Sequence, residues 1–180
     1  LGNNTKFKCF KTKSFLPVHK SWEFAISKIS KINCEWVMML CEDDIMLENS
    51  IITLLKCIKK YPKTSCFSWP VSHLTYNNDN GNFRYHNSLK KIRFSCKNIN
   101  TVNLRKNIYN YNDIQSIKTI SPFFPKILIK KKLLNRPNYF FNAEPMWSSF
   151  FRIVYKVKNY RFLNFPIVAI GVSAFSTSAK

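Results

Sequence analysis

The chain has 180 residues, 46% hydrophobic and 16% aromatic, with only three glycines. That is enough apolar material for a buried core and excludes a collagen, a flexible linker and a disordered tail. The formal net charge of +20 points to anionic partners such as nucleic acid, phosphorylated ligands or an anionic membrane face, although Lys, Asn, Ile, Phe and Tyr are also the residues that AT-rich codons encode.

No apolar stretch is long enough to span a bilayer, and the nearest, from Phe162 to Phe175, is broken by Asn164, Pro166 and Gly171. Lys6, Lys8, Lys11 and Lys13 interrupt any apolar run at the start, so no secretory signal is expected. The chain starts at Leu1 rather than Met, which suggests a fragment of a longer product. Cys9, Cys34, Cys41, Cys57, Cys66 and Cys96 contain no CxxC pair, and four of them sit in or beside apolar segments. They read as small core residues in a reducing, cytoplasmic setting.

In chain order, Pro17 precedes Trp22, Ala25, Ile26 and Ile29, whose spacing predicts a helix with Ser21 as N-cap. Glu35 to Cys41 is a short continuous apolar run, predicted to be a strand buried on both faces as in a parallel sheet. Glu42-Asp43-Asp44 follows at its carboxyl end. Asn49 or Ser50 then caps a helix carrying Ile51, Ile52, Leu54, Leu55 and Ile58, which stops before Pro62. Phe67, Trp69 and Val71 alternate as a strand would. Residues 77–116 are polar and weakly patterned, a long loop or an insertion. Phe123 to Ile129 reads as a strand, followed by Leu133 and Leu134. Glu144-Pro145 opens a helix with Trp147, Phe150, Phe151, Val154 and Val157 on its buried face. Arg161 to Ile170 supplies one or two closing strands. No repeat or internal boundary is visible, so residues 1–180 are expected to form a single α/β domain.

The acidic cluster carries the chemistry. Open α/β sheets bind ligands outside the carboxyl ends of their strands, and three of the chain's nine acids stand together there. Adjacent carboxylates repel one another, and hard oxygen donors suit Mg²⁺ or Mn²⁺. The plainer alternative is a solvated turn whose acids cap the next segment.

The segment Trp36 to Asn49, an apolar strand running into Glu42-Asp43-Asp44 and then Ile45-Met46-Leu47, resembles the signature of family 2 glycosyltransferases of the GT-A fold. Ile51 to Pro62 and the helix around Ser21 to Ile26 are similar to that family's flanking helices, and the likeness runs from about Leu16 to the C-terminus, the polar middle excepted. The resemblance implies a GT-A-like α/β fold with a mixed or mostly parallel sheet flanked by helices. Because only 41 residues precede Glu42, it also implies that the chain is the C-terminal portion of such a domain. Asp44 would be the metal-binding acid that grips the donor diphosphate through Mn²⁺ or Mg²⁺. Glu42 and Asp43 would lie against the nucleotide-sugar, and Glu144 would be the catalytic base of an inverting transfer to a glycan or lipid-linked acceptor. Such an enzyme would serve polysaccharide synthesis at the cytoplasmic membrane face, with peripheral attachment to anionic lipid. Two departures stand out: Pro145 occupies the second place of the family's usual acidic pair, and no His accompanies Gly171 to Ser178. His19, His73 and His86 lie far upstream and read as ordinary surface or turn residues. Two other functions fit parts of the chain. One is a catalytically inactive relative kept as a binding subunit. The other is a basic nucleic-acid-binding module built on Lys130, Lys131, Lys132, Phe94 and Tyr109, for which no recognised motif is present.

Overall fold

The computed structural model describes residues 8–70, 72–76, 83–86, 94–110, 122, 124, 126–135 and 145–172. The elements are α1 (Val18–Ile29), β1 (Trp36–Val37), β2 (Ile45–Met46), α2 (Ser50–Lys60), β3 (Cys66–Ser68), β4 (Ser72–Tyr76), β5 (Phe83–His86), β6 (Cys96–Asn100), α3 (Thr101–Asn110), β7 (Ile127–Lys130), α4 (Pro145–Lys156), β8 (Asn159–Leu163) and β9 (Val168–Val172). A single 3₁₀ turn, Lys131–Leu133, follows β7.

Among the described residues these strands form two sheets. The larger has the order β1-β7-β3-β8-β6 and the smaller β2-β9-β4-β5. In the larger sheet β3 and β8 run parallel, while β7 and β6 run against their neighbours. The sheet is therefore mixed rather than mostly parallel. Each of its three co-directional strands, β1, β3 and β8, is followed in sequence by a strand of the smaller sheet, β2, β4 and β9 respectively.

Side-chain alternation along the strands divides the core in two. Cys66, Ile127, Ile129, Tyr160 and Phe162 pack with Ile26 of α1, Leu104 of α3 and Phe150, Ile153 and Val154 of α4. Phe67, Leu128 and Leu163 point the other way, toward Leu54 and Cys57 of α2. Among the described residues the result is a three-layer α/β arrangement with α2 on one face and α1, α3 and α4 on the other. Trp22 meets Phe124 edge-on at 5.9 Å in the first layer, and Trp36 lies 5.5 Å from Phe67 in the second.

Several local expectations need correction. Helix α1 begins at Val18, so Ser21 lies inside its first turn, donating its N–H to Pro17 at 2.9 Å, and does not cap it. The apolar run before the acidic cluster pairs over Trp36–Val37 alone, antiparallel to β7, at the edge of the sheet. An edge strand has one neighbour, so Met38 to Cys41 continue without a ladder partner among the described residues, and burial on both faces is confined to Val37. Strand β3 is buried at all three positions instead of alternating, because both of its faces are covered; Val71 lies outside the described residues. The polar middle holds β5, β6 and α3, held to the core by β6–β8 pairing and by Thr101, whose hydroxyl donates to Lys158 O at 2.9 Å. Strand β7 starts at Ile127, four residues later than predicted. Helix α4 buries Phe150, Ile153 and Val154 as its 3.6-residue period requires, but Trp147 and Phe151 face outward. Val157 lies one residue past the helix and is partly buried. Arg161 to Ile170 resolves into two strands, β8 and β9. All six cysteines are free, and among the described residues no helix is long and apolar enough to cross a membrane.

The orientation of α4 is checked by two truncations of adjacent aromatics. Phe150→Ala is expected to lower unfolding stability by about 3–5 kcal/mol, because it empties a filled core position. Phe151→Ala, on the exposed side, should change it by about 0.5 kcal/mol or less in the same urea titration.

Candidate functional site

The acidic cluster sits in a tight turn between β1 and β2. Asp44 N–H donates to Cys41 O at 3.2 Å, and Cys41 N–H donates back to Asp44 Oδ2 at 2.8 Å. This reciprocal pair closes the turn on the side chain of its last residue, the behaviour that makes Asp frequent in turns. The backbone N–H of Gly171 on β9 faces the same carboxylate and favours its charged form.

Beyond the turn the chain is held residue by residue against β9. Ile45 pairs with Ala169 and Met46 with Val168, Leu47 N–H donates to Ile167 O at 3.0 Å, and the Ser50 hydroxyl donates to the same carbonyl at 2.7 Å. Asn49 reaches the start of α2 in a left-handed conformation with φ 59°, which Asn tolerates better than most residues. Neither expected cap operates, since Asn49 makes no side-chain cap bond and the Ser50 hydroxyl is directed to Ile167 instead.

Gly171 shows why a small residue is needed opposite the cluster. A Cβ placed there would lie 2.2 Å from Asp43 O and 2.7 Å from Asp43 Cβ. Contacts that short do not occur between real atoms, so any side chain would force the acidic turn and β9 apart. The residues just past β9, from Ser173 onward, lie outside the described set.

The three acids differ in setting. Glu42 is exposed, while Asp43 and Asp44 are half-buried. Burial holds the Asp44 carboxyl above its ordinary range; the N–H groups of Cys41 and Gly171 pull it down, and Asp43 pushes it up again. Asp44 Oδ1 is shielded from solvent and has no hydrogen-bond partner among the described residues. Beside it, burial and then the carboxylates of Asp44, Asp43 and Glu42 push the Cys41 thiol up to about 12, so this cysteine stays a neutral thiol at physiological pH.

An orphaned buried carboxylate oxygen costs about 1–3 kcal/mol or more, and a hard cation beside it would satisfy it. The donor set fits Mg²⁺ or Mn²⁺ on that count, because both accept carboxylate oxygen and keep water and phosphate ligands. Among the described residues no three His, Cys, Asp or Glu side chains converge on a metal position. Protein ligands to such a cation would be at most one or two carboxylates of this turn, with water or ligand oxygens filling the rest of its shell.

Glu144, the expected base, lies outside the described residues; α4 begins immediately after it, at Pro145. Of the three lysines expected to contact nucleic acid, Lys130 and Lys131 are engaged within the fold and Lys132 is exposed. Lys130 pairs with Glu35 at 2.9 Å and lies over Trp36, and Lys131 Nζ donates to Ile32 O at 2.8 Å. Phe94, still half-exposed, meets Phe165 at a tilt, with ring centroids 5.1 Å apart. The side chain of Tyr109 lies outside the described set.

Sequence reasoning missed Lys126. It is 1% exposed, and its carbonyl accepts from the Ser68 hydroxyl at 3.1 Å. Because β7 runs against β1 and β3, Lys126 stands at the end of the sheet where the acidic turn emerges. Burial pulls its ammonium down to about 7. The one signal in the sequence is a lysine directly abutting the apolar Ile127-Leu128-Ile129.

A comparison with protein-family models finds no match for this chain, and a comparison with curated proteins finds none either.

Gly171→Ala is expected to destabilise the fold by at least about 1–3 kcal/mol, the usual cost of overpacking, read as a lowered urea midpoint. Lys126 gives a pH dependence of definite sign. Between about 7 and 10.5 the unfolded chain holds a proton on Lys126 that the folded chain has released, so stability rises with pH there, by up to about 1.4 kcal/mol per pH unit. Cys41, Cys57, Cys66, Cys96 and Tyr160, all raised by burial, work in the opposite direction once the unfolded chain ionises above about pH 9. Urea midpoints should therefore climb from pH 7 toward about 8.5 and fall above about pH 9, and Lys126→Met should remove the climb.

Proposed function

We propose that the turn Cys41 to Asp44 is the donor–metal site of a glycosyltransferase of the family 2, GT-A type, transferring a sugar from a nucleotide-sugar to a glycan or lipid-linked acceptor. The observation that carries this reading is the orphaned Asp44 Oδ1, in a turn clamped beyond a strand's carboxyl end and flanked by two further carboxylates. The mixed sheet with helices on both faces, and the turn at the seam with a second small sheet, support the GT-A-like assignment.

The chain's residues divide the work as follows. Asp44 would hold Mn²⁺ or Mg²⁺ with Oδ1 while Oδ2 keeps the turn closed. Exposed Glu42 and half-buried Asp43 would face the nucleotide-sugar. A divalent cation bound here supplies positive charge that makes a nucleoside diphosphate an adequate leaving group. Glu144, just ahead of α4, would take the acceptor hydroxyl's proton as inversion proceeds. Cytoplasmic activity at the membrane face follows from a lipid-linked acceptor.

A second reading, an inactive relative that binds without turnover, is favoured by two features: Asp44 already bonds to its own turn, and Pro145 stands where the resemblance implies a second acid at the start of α4.

Thermal unfolding of the gene's full product with Mn²⁺ and a panel of nucleoside diphosphates tests the site. Near-saturating ligand should raise Tm by roughly 5–10 °C. Asp44→Asn, which keeps an oxygen for Cys41 N–H, should abolish the shift while leaving the unliganded Tm close to native. No shift with any nucleotide contradicts the reading; a shift without sugar turnover selects the inactive relative.

A further inference from the structure

We infer that the outward face of α2 is a docking surface for an anionic lipid bilayer. The helix buries Ser50, Leu54 and Cys57 against the sheet, so the opposite side faces solvent and should be polar. It carries instead Ile51, Ile52 and Leu55, which are 60%, 53% and 59% exposed. Ile51 and Leu55 stand one turn apart, with Ile52 beside them, so the three form one aliphatic patch.

The C-terminal half of the same helix is cationic. Lys56, Lys59 and Lys60 continue the exposed side, and α2 contains no acid. Lys60 lies over the ring of Tyr61 at 5.6 Å, and the Arg161 guanidinium covers that ring at 4.3 Å. On the flank of α2, a cavity of about 390 Å³ is bounded by Lys56, Cys57, Lys60, Phe94 and Phe165. It places apolar walls next to two ammonium groups.

This composition selects a membrane over a protein partner. Protein interfaces are depleted in Lys and draw their binding energy from Trp, Tyr and Arg anchors. Aliphatic side chains bordered by lysines are instead the pattern of helices that lie in the lipid interface. There the apolar side enters the acyl boundary and the lysines meet lipid phosphates. The +20 charge of the chain adds long-range attraction to an anionic leaflet. The inference does not rest on the glycosyltransferase reading, since no residue of the acidic turn takes part.

The test is co-sedimentation of the full chain with vesicles of phosphatidylcholine, with and without one-third phosphatidylglycerol, at physiological salt. The protein should sediment with the anionic vesicles only. Ile51→Ser with Leu55→Ser should weaken binding at least about tenfold, consistent with the apolar area withdrawn. Lys56→Gln, Lys59→Gln and Lys60→Gln together should weaken it roughly a hundredfold, near fivefold for each lysine. Lys20→Gln, Lys31→Gln and Lys106→Gln remove the same charge from the opposite layer, farther than a Debye length from the lipid. They should weaken binding by no more than about threefold. All these positions are exposed, so urea midpoints should stay native and separate a lost surface from a lost fold. A fluorophore on Leu55→Cys should shift to the blue on anionic vesicles. Absence of binding, or equal effects of the two lysine sets, overturns the proposal. So does light scattering that shows a dimer dissolved by the Ile51 and Leu55 changes without vesicle binding.

Discussion

The candidate site depends on one close approach: β9 running beneath the acidic turn with no side chain at Gly171. Backbone pairing from Ile45 to Leu47 fixes the register, and that register brings Gly171 under Asp43 and its N–H to the Asp44 carboxylate. Three adjacent acids in an apolar strand's exit would otherwise splay apart under mutual repulsion. Here the Asp44 carboxylate is held by the Cys41 N–H and favoured by the nearby Gly171 N–H, while Glu42 stays in solvent. Clamping places one carboxylate oxygen, Asp44 Oδ1, where water does not reach it. That shielded oxygen distinguishes the turn from a solvated cap.

The sheet beneath makes this arrangement rigid. Ile127 and Ile129 of β7 serve one core and Leu128 the other, so a single four-residue strand couples both helical layers. Strands β1, β3 and β8 each hand the chain on to the smaller sheet, so the acidic turn stands where two sheets meet. Helix α2 is tied to the same seam through the Ser50–Ile167 bond. Its outward face is thereby presented at a fixed angle to the candidate site, whichever ligand each surface takes.

The helices and the acidic turn were legible because their signals are local. Period 3.6 placed α1, α2 and α4, and the abrupt change from apolar to acidic residues placed the turn. Strand partners were less legible, because a short apolar run reads alike at a sheet's centre and at its edge. The run at Trp36 to Cys41 contains an edge strand of two residues for that reason. Cap assignments failed where a side chain had a better distant partner, as Ser50 has in Ile167. The polar middle concealed α3 because its low apolar content hides Leu104 and Ile108, the residues that join the core. At the site, Gly171 was visible as a small residue, but its reason, the backbone of Asp43, lies 128 positions away in sequence. Lys126 could not be seen as buried without knowing the direction of β7.

The central claim, that a divalent cation and a nucleoside diphosphate meet at this turn, is tested most directly by paramagnetic broadening. Mn²⁺ is titrated into isotope-labelled protein in the presence of nucleoside diphosphate, and the amide signals are followed. A donor–metal site here predicts that Cys41, Glu42, Asp43, Asp44 and Gly171 lose intensity first, and that Mg²⁺ in excess restores them. Broadening centred elsewhere, or none at these five amides, would contradict it.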